Sequence, residues 1–253
     1  MKLAVFGTLA TTFIFGLRHF PAFYLLCLLT SVPRYLYGAL SGRSLEDQLA
    51  TPATWGDDLL TAVEVVLAGL VTAVMVWTLI RDQSGERWTV IPAFRDVFEH
   101  LPMIFGVGGC VALISMLFSV MFDLAIALAP LAIIVPALLI AVLALVFAVV
   151  LPCAAVSESG ILECFAESAA LTAGSRLRIL MLYVLVSIPL VIVSFLALVI
   201  LQPDARTGLP AEWAFLGMAA LNVFLFATPV AIHNALAEPD SGGVLVETAA
   251  VFD

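Results

Sequence analysis

The chain has 253 residues, of which 63% are hydrophobic and 11% are charged, and its formal net charge is −9. A soluble domain usually carries about 25% charged residues, so this composition does not suit a surface that contacts water on all sides. The ten basic residues are spread along the whole length and form no cluster that would bind phosphates. This distribution excludes a nucleic-acid-binding protein.

Long apolar runs predict transmembrane helices, because about 20 residues at about 1.5 Å each cross a hydrocarbon core of about 30 Å. Backbone groups in lipid must bond within their own segment, which favours helices. Runs of this kind occupy residues 21–40, 59–80, 101–122, 130–151, 179–201 and 213–236. We therefore expect an all-α polytopic membrane helix bundle with about six spans. Residues 1–236 would form a single transmembrane domain, and 237–253 a short cytoplasmic tail.

The positions of Lys and Arg near the span ends predict the orientation of the bundle. With the N-terminus inside, the inner side holds seven basic residues, namely Lys2, Arg18, Arg81, Arg87, Arg95, Arg176 and Arg178. Three others, Arg34, Arg43 and Arg206, lie on or close to the outer side. This excess predicts that both termini are cytoplasmic.

Three amphipathic segments precede spans one, three and five. In 92–101, apolar side chains fall at i, i+3, i+4 and i+7, a pattern typical of a helix lying in the membrane interface. A similar stripe occupies 6–20, and a third lies in 160–174. The tetrapeptide Arg18-His19-Phe20-Pro21 also resembles Glu99-His100-Leu101-Pro102. The sequence therefore predicts three units, each an interfacial helix followed by a transmembrane hairpin.

The segment 160–174 is a candidate partner surface. Its predicted apolar stripe consists of Ile161, Leu162, Phe165 and Ala169, with Glu163 and Glu167 on the opposite face and Arg176 and Arg178 following. The segment thus offers charges of both signs to a partner. The alternative interpretation is a connector that keeps spans four and five in register.

The same region resembles a signature of the form P-x5-E-x-G followed by R-S-x-x-L-T-x-G-x-x-W-x-I. Matching residues are Pro152, Glu158, Gly160, Ser168, Leu171, Thr172, Gly174 and Ile179. Glu167 replaces the arginine of the signature, and Leu177 its tryptophan. The signature is found in uncharacterised bacterial multi-pass membrane proteins resembling the membrane domain of glycerophosphoryl diester phosphodiesterase. The resemblance implies a membrane fold in a bacterial inner membrane and no particular reaction.

Two further groups of residues are candidates for function. Gly106, Gly108 and Gly109 lie in span three, where small residues let neighbouring helix backbones approach closely. Glu64 and Asp123 are candidate intramembrane acids, which often mark ion or proton pathways. Glu64 is also placed to pair with Arg34 across two helices, and Asp123 lies at a predicted hairpin apex among headgroups or water.

We find no spacing typical of catalytic, cofactor-binding or metal-ligating residues. The sequence favours a non-enzymatic membrane protein acting through helix contacts, as an accessory subunit, scaffold or assembly factor. Its expected partners are membrane lipids and other integral membrane proteins. A small transporter or channel is the alternative, and a lipid-modifying enzyme is a third hypothesis.

Overall fold

The computed structural model of the chain describes residues 3–41, 55–85, 90–128, 134–157, 160–200 and 212–237. Within these ranges the chain is helical and has no β-strand. The helices are α1 (Val5–Arg18), α2 (Phe20–Ser41), α3 (Trp55–Gln83), α4 (Val90–Leu128), α5 (Ile134–Val146), α6 (Val150–Val156), α7 (Ile161–Thr172), α8 (Arg176–Ile200) and α9 (Glu212–Ala237). The predicted all-α class is confirmed.

Four stretches of the described chain are long and apolar enough to cross a membrane, namely Gly56–Gln83, Val90–Phe122, Ile134–Val156 and Ala219–Ala237. Two more qualify as bent pairs: α1 meets α2 at 88°, and α7 meets α8 at 90°. Each predicted span falls mostly within one of these six stretches. The chain is therefore a multi-pass membrane protein. The predicted tail beyond Ala237 lies outside the described residues.

The second predicted unit differs from the other two. The segment 92–101 is helical, but it is not a separate helix, because α4 continues through Pro102. The 39 residues of α4 extend about 58 Å, well beyond a hydrocarbon core of about 30 Å. Contacts with α3 anchor the first part of α4, since Val97 is buried and Asp96 forms an ion pair with Arg81. The predicted separation between the interfacial segment 92–101 and the third span is therefore not observed.

The buried core consists of two apolar clusters, and α9 contributes side chains to both. Val223 and Ala227 of α9 pack with side chains of α1 to α4, whereas Ile232 and Leu236 pack with α6, α7 and α8. The antiparallel pair α3–α4 forms the most extensive contact. Only 17% of the stretch containing α5 is buried, compared with 44% for α9. Helix α5 thus lies at the edge of the bundle, and α9 at its centre.

Candidate functional site

A break in the fourth span exposes a backbone carbonyl to side chains of α7. Helix α5 ends at Val146 and α6 begins at Val150, two residues before Pro152, which has no N–H to donate. The Val150 N–H bonds the carbonyl three residues back, at 3.1 Å, so Val146 O loses its usual helical donor. Thr172 Oγ1 lies 2.9 Å and Ser168 Oγ 3.3 Å from Val146 O. Thr172 Oγ1 also lies 2.9 Å from Ser168 O of its own helix, and a hydroxyl has one proton to donate. Between them, the two hydroxyls can supply the Val146 carbonyl with the donor that its helix does not.

Two other signature positions shape the path of α7. The Gly160 N–H donates to Glu163 Oε2 at 2.9 Å and so satisfies one free donor at the start of the helix. Gly174 has φ +79° in the turn to α8, a conformation that costs glycine less than other residues. Residues that match the signature thus lie at the break in the fourth span, at the start of α7 and in the turn to α8. At each of these places they determine the path or the hydrogen bonding of the backbone. Glu158 lies outside the described residues.

The buried face of α7 is rotated from the predicted stripe. Leu162 is 83% exposed, whereas the inward face consists of Ile161, Cys164, Phe165, Ser168 and Thr172. The helix turns this way because the two hydroxyls must point inward to reach the carbonyl in the broken span. The sequence predicts a stripe that lies among acyl chains, and the exposed Leu162 suits that position, whereas Ile161, Phe165 and Ala169 of the same stripe are partly buried against the bundle.

The four charged residues of the predicted partner surface differ in their exposure and in their hydrogen bonds. Glu167 and Arg176 are exposed. Glu163 is also exposed but caps its own helix. Arg178 is half-buried, and its Nη1 donates to Leu3 O at 3.0 Å, which ties the start of α8 to the N-terminal segment. Glu167 and Arg176 are thus the charges best placed to meet another molecule.

The glycine cluster of α4 contacts two different helices. A Cβ at Gly106 would lie 2.5 Å from Ile161 Cδ1 of α7, and a Cβ at Gly108 would lie 3.5 Å from Val66 Cα of α3. A Cβ at Gly109 would have no described atom outside its own helix within 4 Å. Two of the three glycines therefore lie where α4 packs closely, and the third does not.

Arg34 and Glu64 form a two-pronged ion pair between α2 and α3. Arg34 Nε donates to Glu64 Oε1 at 2.8 Å, and Nη2 donates to Oε2 at 2.8 Å. Nη2 also lies 3.3 Å from Thr61 Oγ1. The side chains are 31% and 25% exposed. The other candidate acid, Asp123, lies in α4, but its side chain is outside the described part of the structure.

A second set of ion pairs lies at the end of the bundle where α1 meets α2. Arg18 Nη1 donates to Asp82 Oδ2 at 2.8 Å, with His19 Nε2 at 3.8 Å from the same oxygen. Arg81 Nε donates to Asp96 Oδ2 at 2.7 Å and Nη2 to Oδ1 at 3.1 Å. Burial lowers the pKa of His19, and the Asp82 carboxylate opposes this shift. These pairs connect the ends of α1, α3 and α4.

The same end of the bundle gathers most of the described arginines, and we call it the basic end. It is defined by Arg18, Arg81, Arg95, Arg176 and Arg178. Gln83 Nε2 donates to Asn234 Oδ1 at 3.3 Å and brings the end of α9 to it. Trp77 Nε1 donates to Ala155 O at 2.9 Å, joining α3 to the end of α6. These polar partners are not predictable as a group from the sequence, where their one signal is a position near predicted span ends.

The three histidines do not form a metal site with other ligands in the described ranges. His19 lies beside Asp82, His100 packs its ring against Trp77 and has Nδ1 3.1 Å from Asp96 O, and His233 lies in α9. Among the described residues, no group of three or more His, Cys, Asp or Glu side chains is arranged to hold a metal ion.

An apolar cavity of about 200 Å³ lies between α2, α3 and the first part of α4. Its walls include Leu26 and Leu29 of α2, Leu70 of α3, and Phe94 and Phe98 of α4. The cavity is not predictable from the sequence, because its walls come from three helices and the apolar pattern does not specify how those helices pack.

Comparison with protein-family models, with curated proteins and with solved structures finds no match for this chain. A proposal for its function therefore depends on the geometry of its own residues.

The double substitution Ser168→Ala with Thr172→Val should destabilise the protein by about 2 kcal/mol, because it leaves a carbonyl in a broken membrane helix unbonded. Thr78→Val is the matched control. Thr78 is also buried, but its hydroxyl bonds Val74 O of its own helix, which retains a backbone donor. The free energy of unfolding in mixed micelles should change by less than about 0.5 kcal/mol for the control. Equal losses would contradict this role for Val146 O.

Substitutions of the Arg34–Glu64 pair should be strongly non-additive. Arg34→Met and Glu64→Met should each destabilise the protein by about 3 kcal/mol, because each leaves one charge without its partner. The Glu64→Met loss should be the larger, since the remaining guanidinium cannot lose its proton. The double variant should be more stable than either single variant in thermal unfolding. Simple addition of the two losses would show that the pair contributes no coupling.

Proposed function

We propose that this chain is a non-enzymatic membrane protein that acts through helix contacts, as an accessory subunit, scaffold or assembly factor of a membrane complex. The observation that carries this proposal is the internal pairing of its charges. Arg34 with Glu64 and Arg81 with Asp96 join neighbouring helices instead of lining an open polar path. A transporter needs polar groups that face its substrate, whereas a scaffold needs a rigid bundle.

The hydroxyls of the signature segment also favour a structural protein over an enzyme. A nucleophilic serine or threonine requires a general base within hydrogen-bond reach. Ser168 and Thr172 instead lie within reach of the Val146 carbonyl. The resemblance to membrane domains of the phosphodiesterase-related group supports the same proposal, since that resemblance implies a fold and no reaction.

The proposed contact surface is the outward side of α7 with the start of α8. Helix α7 would lie along the membrane interface, since it turns by 90° into the spanning helix α8. Its exposed flanks differ in character: Leu162 lies on one side and Glu167 on the other, an arrangement suited to lipid on one side and water on the other. Arg176 adds a positive charge beside the corner. A partner with charges of both signs fits this surface.

The proposed location is the inner membrane of a bacterium, with both termini in the cytoplasm. Five described arginines lie at the basic end, whereas Arg34 lies towards the opposite end of α2. An excess of Arg and Lys on one side is typical of the cytoplasmic side of a membrane protein. The basic end would therefore face the cytoplasm.

Cysteine labelling tests this orientation. In a variant without native cysteines, Gly208→Cys should react with an impermeant maleimide added from outside, and Ser84→Cys should react only after permeabilisation. Ser84 is exposed, near the basic end, so access to the reagent decides its reactivity. Labelling of Ser84→Cys but not Gly208→Cys in intact cells would reverse the proposed orientation.

A small transporter or channel is the alternative, favoured by the similar bends of 88° and 90° in the two units α1–α2 and α7–α8. Internal repeats of this kind occur in transporters. Reconstitution of the purified chain into liposomes distinguishes the two proposals. Movement of ions or solutes by the chain alone would favour the alternative.

Recovery of partners in mild detergent tests the contact surface directly. Combining Glu167→Ala with Arg176→Ala should weaken recovery of a co-purifying membrane protein about fivefold to tenfold, a loss of about 1 to 1.4 kcal/mol. Stability should stay the same, because exposed charges contribute little. Glu99→Ala, at another exposed acid near the basic end, is the matched control. Unchanged recovery in the double variant would leave α7 as a structural connector.

A further inference from the structure

The cavity between α2, α3 and α4 is apolar over its described walls. Leu26 and Leu29 contribute from α2, and Leu70 from α3, while Phe94 and Phe98 close the side formed by α4. The one hydroxyl in the wall belongs to Thr30, and it donates to Cys27 O at 2.8 Å, so it has no proton left for a guest molecule. A cavity of this character offers water no partner and favours a hydrocarbon guest.

The cavity lies at membrane depth. Its α2 and α3 walls fall within the predicted spans 21–40 and 59–80. On the outer side, the Arg34–Glu64 pair lies about one helical turn beyond the walls. Towards the basic end, Arg81 lies about two turns beyond the α3 wall, and its partner Asp96 lies at the level of the wall residues Phe94 and Phe98. The two pairs therefore bracket the cavity along α3. Leu29 and Phe98 are 59% and 67% exposed, so the cavity opens sideways, towards the acyl chains of the bilayer.

The narrowness of the cavity favours a single chain over a helix as its occupant. Helix α3 packs against both α2 and α4, and the cavity between them has a volume of about 200 Å³. A helix with its side chains is about 10 to 12 Å wide, as wide as each of the helices that form the walls. One hydrocarbon chain is narrow enough to place part of its length in the cavity from the side.

The mouth near Phe94 and Phe98 carries a charge suited to a phosphate group. Two arginines of the basic end are already paired, Arg18 with Asp82 and Arg81 with Asp96. Arg95 follows Phe94 on α4 and is exposed, and a long arginine side chain near a helix end can extend to the headgroup layer. The exposed Glu99, one turn further along α4, disfavours headgroups with several negative charges.

We propose that this groove binds one hydrocarbon chain of a membrane phospholipid, with the phosphodiester of the headgroup next to Arg95. The lipid enters from the leaflet at the basic end and stays in contact with α2, α3 and α4. Its chain fills the space between these helices, and Phe94 and Phe98 pack along it. The site does not involve α7 or α8, so this inference stands apart from the proposed partner surface.

Photolabelling tests the site. The full chain is reconstituted into vesicles of three parts phosphatidylethanolamine to one part phosphatidylglycerol with a trace of phosphatidylcholine carrying a diazirine in one acyl chain. After irradiation, peptide mapping should place adducts on the α2, α3 and α4 walls. Leu70→Trp, which fills the cavity, should reduce these adducts about tenfold, a loss of about 1.4 kcal/mol in binding.

Two further variants serve as the matched control and as a replacement for Leu70→Trp. Leu138→Trp, at an exposed apolar position of α5, is the matched control and should leave the groove adducts unchanged. Leu29→Trp blocks the groove from its exposed mouth and replaces Leu70→Trp if that variant does not fold. Adducts that persist at the groove in the filled variants, or that spread equally over α5, would show ordinary bilayer contact and overturn the proposal. Capture of a protein segment at these walls would also overturn it.

The headgroup contact has its own measurement. Arg95→Gln should lower groove labelling by the diazirine phospholipid severalfold and leave labelling by a diazirine diacylglycerol, which has no phosphate, unchanged. Equal effects on both probes would overturn the placement of the phosphodiester at Arg95. Neither result depends on partner recovery through Glu167 and Arg176, so the two proposals fail or succeed separately.

Discussion

The carbonyl oxygen of Val146 needs a hydrogen-bond donor, and this need constrains how α7 packs in the second half of the fold. An unbonded carbonyl in hydrocarbon is unfavourable, because the bilayer core has no water to bond it, and the break before Pro152 leaves one without its helical donor. The hydroxyls of Ser168 and Thr172 meet this demand, which requires α7 to lie across the break with both side chains inward. The outward position of Leu162 follows from this requirement. Ser168 and Thr172, two of the residues that match the signature, thus serve the bonding of the backbone.

Ion pairs at the two ends of the bundle follow the same principle, that a polar group in a membrane needs a bonding partner. Arg34 with Glu64 joins α2 to α3, and Arg81 with Asp96 joins α3 to α4. A charge at membrane depth is costly unless it is paired. These ion pairs therefore also fix the position of each helix along its neighbour. Paired in this way, the groups serve the packing of helices. This supports the proposal of a protein that acts through contacts at its surface.

The two surfaces proposed for interaction differ in chemistry. The exposed flank of α7 with Glu167 and Arg176 offers charges near the membrane surface, which suits a protein partner. The groove beside Leu70 and Phe98 offers a narrow apolar space, which suits one lipid chain. The first depends on the corner between α7 and α8, and the second on the packing of α2, α3 and α4. Residues of one surface can therefore be substituted without changing the other surface.

The sequence by itself determined the helical class and where the long apolar helices lie along the chain, because hydrocarbon selects long apolar runs whatever their neighbours are. It also indicated that Glu64 can pair with Arg34. Only the tertiary structure decided that α4 continues through Pro102, that Leu162 faces outward, and that Gly106 and Gly108 meet different helices while Gly109 meets neither. It also assembled the groove. Each of these features depends on a contact between helices distant in sequence, and an apolar pattern has the same form whichever helix it will meet.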